Sequence, residues 1–243
     1  MVFGLFSKEK ALQKTIEKAT NKLAQQPDRW GALEKLKDDG TEEALFGLCK
    51  RFAITSMKGV EDEAEKLWVV DTLVDKGAAC LAPVVRYMKS AEQLAFPLRV
   101  LERVASRDKV LEVADQLFAS EVPGYVRMPE RRIDLLRWFA EWKPVTDDEV
   151  VGRVTPYVTD FDENVRFAAI DGMATRDPAK IAPPLIAALL RPEEESGRIK
   201  RAIVEVLEKC HAPLGGQAAA VAAVLTGTLG EDFKVDAGVI KKR

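Results

Sequence analysis

The chain has one histidine, His211, and three cysteines, Cys49, Cys80 and Cys210, with no CxxC spacing among its 243 residues. This scarcity excludes much chemistry. With no second histidine and no ligand-type spacing, neither a zinc site nor a Ser-His-Asp device is expected. His211 itself follows a helix-like segment in Lys-Cys-His-Ala-Pro, where an imidazolium can cap the last carbonyls. The scattered cysteines suit buried thiols in a reducing compartment better than disulfides, so the cytoplasm is the expected location. GxGxxG and GxxxxGKS/T are both missing. Gly215–Gly216 before a helix is a weak anion-binding cue that a helix start explains equally well. No cofactor is expected.

An excess of either charge is missing too. The 37 Lys and Arg face 39 Asp and Glu, so no overall field favours a polyanion and nucleic acid is an unlikely partner. No apolar run reaches the ~18 residues of a membrane span; the segment AAAVAAVLTGTLG near the C-terminus is short and weakly apolar. The opening MVFGLFSKEK places apolar residues ahead of positive ones, the reverse of a signal peptide. Residues 8 to 24 read as an amphipathic helix with Leu12, Ile16, Ala19 and Leu23 on one stripe. An end helix lying on its neighbour is preferred to a membrane-surface helix. Phe3, Leu5 and Phe6 ahead of five lysines suggest the latter, but too few large apolar residues follow.

What is present is helix. Hydrophobic residues make up 47% of the chain, enough for a substantial core. Apolar positions recur at three and four, acidic residues precede segments and Gly or Pro follows them, while strand patterns are nearly absent. The fold class expected is all-α. One face recurs as Trp30, Leu33, Leu36; as Leu67, Val70, Leu73; as Leu98, Leu101, Val104; as Ile133, Leu136, Phe139; as Phe167, Ile170, Met173; and as Ile203, Val206, Leu207. Successive faces start 31 to 37 residues apart, the spacing of helical-pair repeats. Shorter helices fall between them, near 41–53, 77–89, 107–119, 147–158, 178–190 and 215–227. The chain is therefore expected to form one domain over 1–243. Its approximate units are 8–38, 41–76, 77–106, 107–144, 147–177 and 178–212, with a C-terminal cap at 215–243.

The chain resembles the HEAT-repeat family in its short bacterial form. The likeness rests on prolines within first helices (Pro83, Pro156, Pro183–Pro184) and acidic turns (Thr159–Asp160, Glu193–Glu195). Basic residues opening second helices (Arg29, Lys66, Arg132, Arg166 and Arg201) complete it. It covers most of residues 8 to 230 and is clearest from 77 to 210. It implies a right-handed α-α superhelix of about six pairs with capping helices. It also implies a ladder of turn carboxylates and second-helix arginines, here Asp160, Arg132, Arg166 and Arg201, where charge-assisted bonds hold successive units. Tetratricopeptide repeats share the period, but only Trp30–Leu33 begins their pattern, and Glu34 and Lys37 end it.

In HEAT-like stacks the second helices line the concave side. Residues pointing away from the apolar face by the 100° helical step include Trp68, Arg99, Arg103, Asp134 and Trp138, with Trp142 a turn further on. A surface mixing Trp and Arg suits a protein partner; the reading preferred for a tryptophan in such a stack, Trp138 above all, packs it between repeats. The loop ASEVPGYVRMPE (119–130) is longer than a tight turn requires, and Tyr125 and Arg127 in it are further binding candidates. The reading preferred for Tyr125 tucks it beneath a packed loop. The expected function is a non-enzymatic scaffold or adaptor that binds another protein, with a monomer as the default state. Two enzyme families with HEAT-like stacks are the alternatives. DNA-alkylpurine glycosylases place an Asp beside a Trp, echoed faintly by Trp68 with Asp71. Phycobilin lyases share the repeat type, but no bilin pocket is legible here.

Overall fold

A computed structural model describes the backbone of residues 2–243 and the side chains of residues 8–243. The side chains of Phe3, Leu5 and Phe6, on which the membrane-surface reading rests, lie outside the described residues. The chain divides into two compact units, residues 1–117 and 118–243.

The first unit contains α1 (Val2–Ala19), α2 (Gln26–Asp39), α3 (Glu42–Cys49), α4 (Gly59–Asp75), α5 (Leu81–Met88) and α6 (Ala95–Val104), and most of α7 (Arg107–Ser120). Its helices pair in two ways. Chain neighbours α1 with α2, α2 with α3 and α5 with α6 pack together, and so do alternate helices: α3 on α5, α2 against α4, and α4 on α6. No such pair can bury both of its apolar stripes alone, which is why alternate helices meet. Ile16 and Ala19 on α1 are buried, as expected for a helix lying on its neighbour, whereas Leu23 is 80% exposed. Gly47 on α3 lets α1 approach closely: a Cβ there would stand 2.7 Å from Ile16 Cγ1.

The second unit contains α8 (Glu130–Glu141), α9 (Asp147–Val154), α10 (Glu163–Met173), α11 (Pro178–Leu189), α12 (Gly197–Lys209), α13 (Ala218–Val224) and α14 (Gly227–Asp232). Here α8, α10 and α12 pack in a row, and α9 touches α11. The helix starts follow from local chemistry. Thr146 and Glu149 form a capping box, Asp162 accepts from the amides of Asn164 and Val165, and Asp177 caps α11 with Pro178 as its first residue. Prolines mark changes of helix type. Pro156 falls in a 3₁₀ segment, Thr155–Thr159, that continues α9, and Pro83 lies just past the 3₁₀ segment Gly77–Cys80 that leads into α5. A residue without an amide that collides with the preceding turn is accommodated where the ladder is already changing. Pro183 and Pro184 remain inside α11.

The expected C-terminal cap is only partly helical. After α14 the chain forms an antiparallel hairpin, β1 (Phe233–Asp236) with β2 (Val239–Lys242), pairing Val235 with Ile240. The two turn residues, Ala237 (φ 51) and Gly238 (φ 77), both lie in the left-handed region, as a tight hairpin turn requires. Phe233 and Ile240 are buried, and β2 packs on α12. The fold is thus helical apart from this hairpin. The signal was Asp-Ala-Gly between Phe-Lys-Val and Val-Ile, a short alternation that the helix-dominated pattern masked.

The first residue of three expected faces also needs correction. The inward face of α8 runs through Arg132, Leu135, Leu136 and Phe139, leaving Ile133 half-buried. Likewise Arg29 and Lys66 are buried, while Trp30 is half-buried and Leu67 is 39% exposed. Leu33 and Leu36, Val70 and Leu73, and Leu136 and Phe139 stay in the core as expected, and only the first residue of each face gives way to the basic residue before it. Arginine and lysine are rarely buried. Here the basic residue is inside because a carboxylate meets it.

Candidate functional site

Those buried cations organise both units. In the first, Glu65 is fully buried and accepts from Arg29 (Nη2 to Oε1, 2.8 Å) and Arg51 (Nε to Oε2, 2.8 Å). Asp62 accepts from Arg51 at 2.7 Å and lies 2.7 Å from Lys66 Nζ. In the second unit Arg132 and Asp160 are both buried, with Nη1 2.8 Å from Oδ2. Arg166 Nε lies 2.8 Å from Glu194 Oε2, and its Nη1 donates to the Asp160 carbonyl at 2.9 Å. Arg201 reaches Asp232 at 2.7 Å, on the surface. Of the four residues assigned to a ladder, Arg132 and Asp160 pair with each other, and Arg166 and Arg201 pair with Glu194 and Asp232. Each arginine near a helix start meets an acid further along the chain, and Asp160 touches two of them.

This scaffolding holds the loop between α7 and α8. Arg132 Nη1 donates to the Gly124 carbonyl at 2.9 Å, and the Gly124 amide donates to Asp160 Oδ2 at 3.2 Å. The Tyr157 hydroxyl donates to the Glu121 carbonyl at 2.9 Å, and Arg131 pairs with Glu121. Burial raises the Tyr157 pKa to about 12, with Arg132 opposing that shift and Glu121 and Asp160 adding to it, so the hydroxyl remains a donor. Gly124, at φ 136, occupies backbone space that side chains disfavour.

The loop so held displays apolar residues to solvent. Tyr125 is 76% exposed, Val122 64% and Met128 53%. Phe161, in the turn before α10, is 69% exposed and meets Tyr125 edge to face with ring centroids 5.4 Å apart. The reading that tucked Tyr125 beneath the loop is corrected. A cleft of about 410 Å³ lies beside the pair, lined by Pro123, Thr159, Asp160, Phe161, Arg166 and Arg191 among others. Arg127 is exposed on the same loop. Sequence reasoning found Tyr125 and Arg127 but missed Phe161 and Val122. Phe161 sits between two aspartates outside any helical stripe, and that mismatch was the available signal.

The residues assigned to a concave groove divide between the units. In the first, Trp68 is half-buried, its ring 5.1 Å from that of Trp30 and 5.6 Å from Lys37 Nζ. Arg99 is exposed over Phe96, and Arg103 is exposed and pairs with Asp71 at 2.8 Å. In the second unit Asp134 is half-buried. Trp138 and Trp142 are not surface residues: they are 9% and 7% exposed and stack on each other at 6.1 Å. Both sit in the core beside Phe139. His211 is exposed with φ 51, and its amide bonds to the Glu208 carbonyl at 3.0 Å as α12 ends. Among the described residues no group of three or more His, Cys, Asp or Glu is placed to hold a metal, and no helix is long and apolar enough to cross a membrane.

Comparison with known proteins gave no match: no family model, no curated protein and no solved structure matches this chain.

Proposed function

We propose that this chain is a non-enzymatic scaffold or adaptor of HEAT-like helical pairs, and that it docks another protein on the loop between α7 and α8. The single observation that carries the reading is the exposed Tyr125–Phe161 pair, held on a loop whose backbone is tied to the buried Arg132–Asp160 ion pair. Large apolar side chains in water gain free energy when covered, roughly 25 cal/mol per Å². Held in one arrangement beforehand, they lose little conformational freedom on binding. Aromatic anchors of this kind dominate protein interfaces, and arginine, here Arg127 and Arg191 nearby, joins them at rims. The burial of Trp138 and Trp142 moves the candidate surface away from α8. Alternate-helix packing within each unit supports the stacked-pair reading.

The test is a photo-crosslinking amino acid placed at position 125 and, separately, at position 99 on α6, with expression in the native organism. A discrete protein adduct from position 125, weakened by Phe161→Ser, is the expected result. Adducts from position 99 alone would return the interface to the helix face, and nucleic-acid adducts from position 125 would replace the protein partner.

A further inference from the structure

We infer that a cleft in the first unit, where α2 and α4 begin, is a binding site for a compact oxyanion, with the phosphoryl group of a phosphate monoester the best chemical fit. The cleft encloses about 230 Å³, and its lining includes Lys22, Gln25, Gln26, Ser56, Lys58 and Glu61.

Three independent observations converge there. Ser56 lines the cleft and is 8% exposed, yet its Oγ has no hydrogen-bond partner among the described residues. A buried hydroxyl without a partner is costly, and Ser Oγ can take three staggered positions about a single bond to meet a ligand. Both helices start at the cleft with no side chain capping a first-turn amide: neither Gln25 nor Lys58 does so, and Lys58 Nζ reaches Glu61 instead. Amides of a first turn carry partial positive charge and favour an anion. The third observation is charge. Arg29, which lines the cleft, and Arg51 and Lys66 share the carboxylates of Asp62 and Glu65, all five at most 6% exposed, and Glu61 at the rim also acts on Arg29. Three cations against two carboxylates leave one buried positive charge in excess. At the rim Lys22 and Lys58 outnumber Glu61, which pairs with Lys58 at 2.9 Å.

A tetrahedral oxyanion matches this setting because it accepts from a hydroxyl, ammonium groups and amides at once. Leu23 and Met57 also line the cleft and are 80% and 94% exposed. They would cover the organic part of a monoester, which inorganic phosphate lacks. The site is in the other unit from the Tyr125 loop and stands whether or not that loop docks a protein.

The experiment is a titration of the full chain with inorganic phosphate, phenyl phosphate and phenol at constant ionic strength in chloride, read by calorimetry and by amide resonances. Saturable 1:1 binding of the phosphates that shifts the amides of Gln26 and of residues 56–61 is expected. Ser56→Ala and Lys22→Met should each weaken it about tenfold, the loss typical of one bond to a charged group. Lys200→Met, in the other unit, should leave it unchanged. Tighter binding of phenyl phosphate than phosphate assigns the monoester, and equal binding assigns the free anion. Shifts no larger than those from chloride, affinity unchanged in both cleft variants, or phenol binding as well as phenyl phosphate would each overturn the site.

Discussion

Asp62→Asn probes the buried charge cluster of the first unit with a perturbation whose size can be worked out. Asp62 is 6% exposed, and its carboxylate accepts from Arg51 at 2.7 Å and from the Ser56 amide at 2.8 Å, with Lys66 Nζ at 2.7 Å. Burial by itself raises the pKa of this group. The bonds from Lys66, Ser56 and Arg51 together outweigh burial and hold it at about 2, against an ordinary 3.8. Because the folded value lies below the unfolded one, the carboxylate's contribution is complete above pH 3.8 and is lost as pH falls through about 2. At about 1.4 kcal/mol per tenfold change in proton affinity, the difference amounts to about 2 kcal/mol. Asparagine keeps the shape but not the charge, so Asp62→Asn should lose about 2 kcal/mol at pH 7, with the loss shrinking toward pH 2. Urea unfolding at pH 7, 5 and 3 measures it. With Trp138 and Trp142 replaced by Phe in both proteins, fluorescence reports Trp30 and Trp68 of the first unit. An equal loss at every pH, or none at pH 7, would refute the reasoning.

Four further outcomes follow from the structure. Arg132→Met leaves the Asp160 carboxylate buried without its cation and should cost about 3–5 kcal/mol. It should also speed protease cleavage within residues 121–129, and adding Asp160→Leu should recover part of the stability in the same urea melt. Gly172→Ala places a Cβ 2.9 Å from Ala140 Cβ, where α8 and α10 touch, and should destabilise by about 1–3 kcal/mol. Gly152→Ala, in α9 with open space around it, should stabilise by about 0.5–1 kcal/mol, as thermal melts will show. Ellman's reagent should label half-buried Cys210 first in the native chain. Cys49 and Cys80 should react only in denaturant, since burial shields both, raising the Cys80 pKa to about 11 and that of Cys49 further above its ordinary value.

Much of this protein was legible as a string. Helix content, the positions of most helix starts and the two-helix rhythm follow from apolar spacing and from Thr146, Asp162 and Asp177 as caps, because these are local effects of backbone geometry. Two features were not legible for the opposite reason. A sequence gives no sign that Arg29, Lys66 and Arg132 turn inward, because an arginine is buried only when another segment delivers a carboxylate. Asp160 stands in the ladder that the resemblance implies, whereas Glu65 and Asp62 are recognisable only when folded. The same holds for the surface. Tyr125 and Phe161 stand 36 residues apart in the chain, and what makes them one exposed pair is the tether from Gly124 to Asp160. The period of the chain thus fixed which segments are helices, while long-range ion pairing decided which faces turn inward and which side chains are left in water.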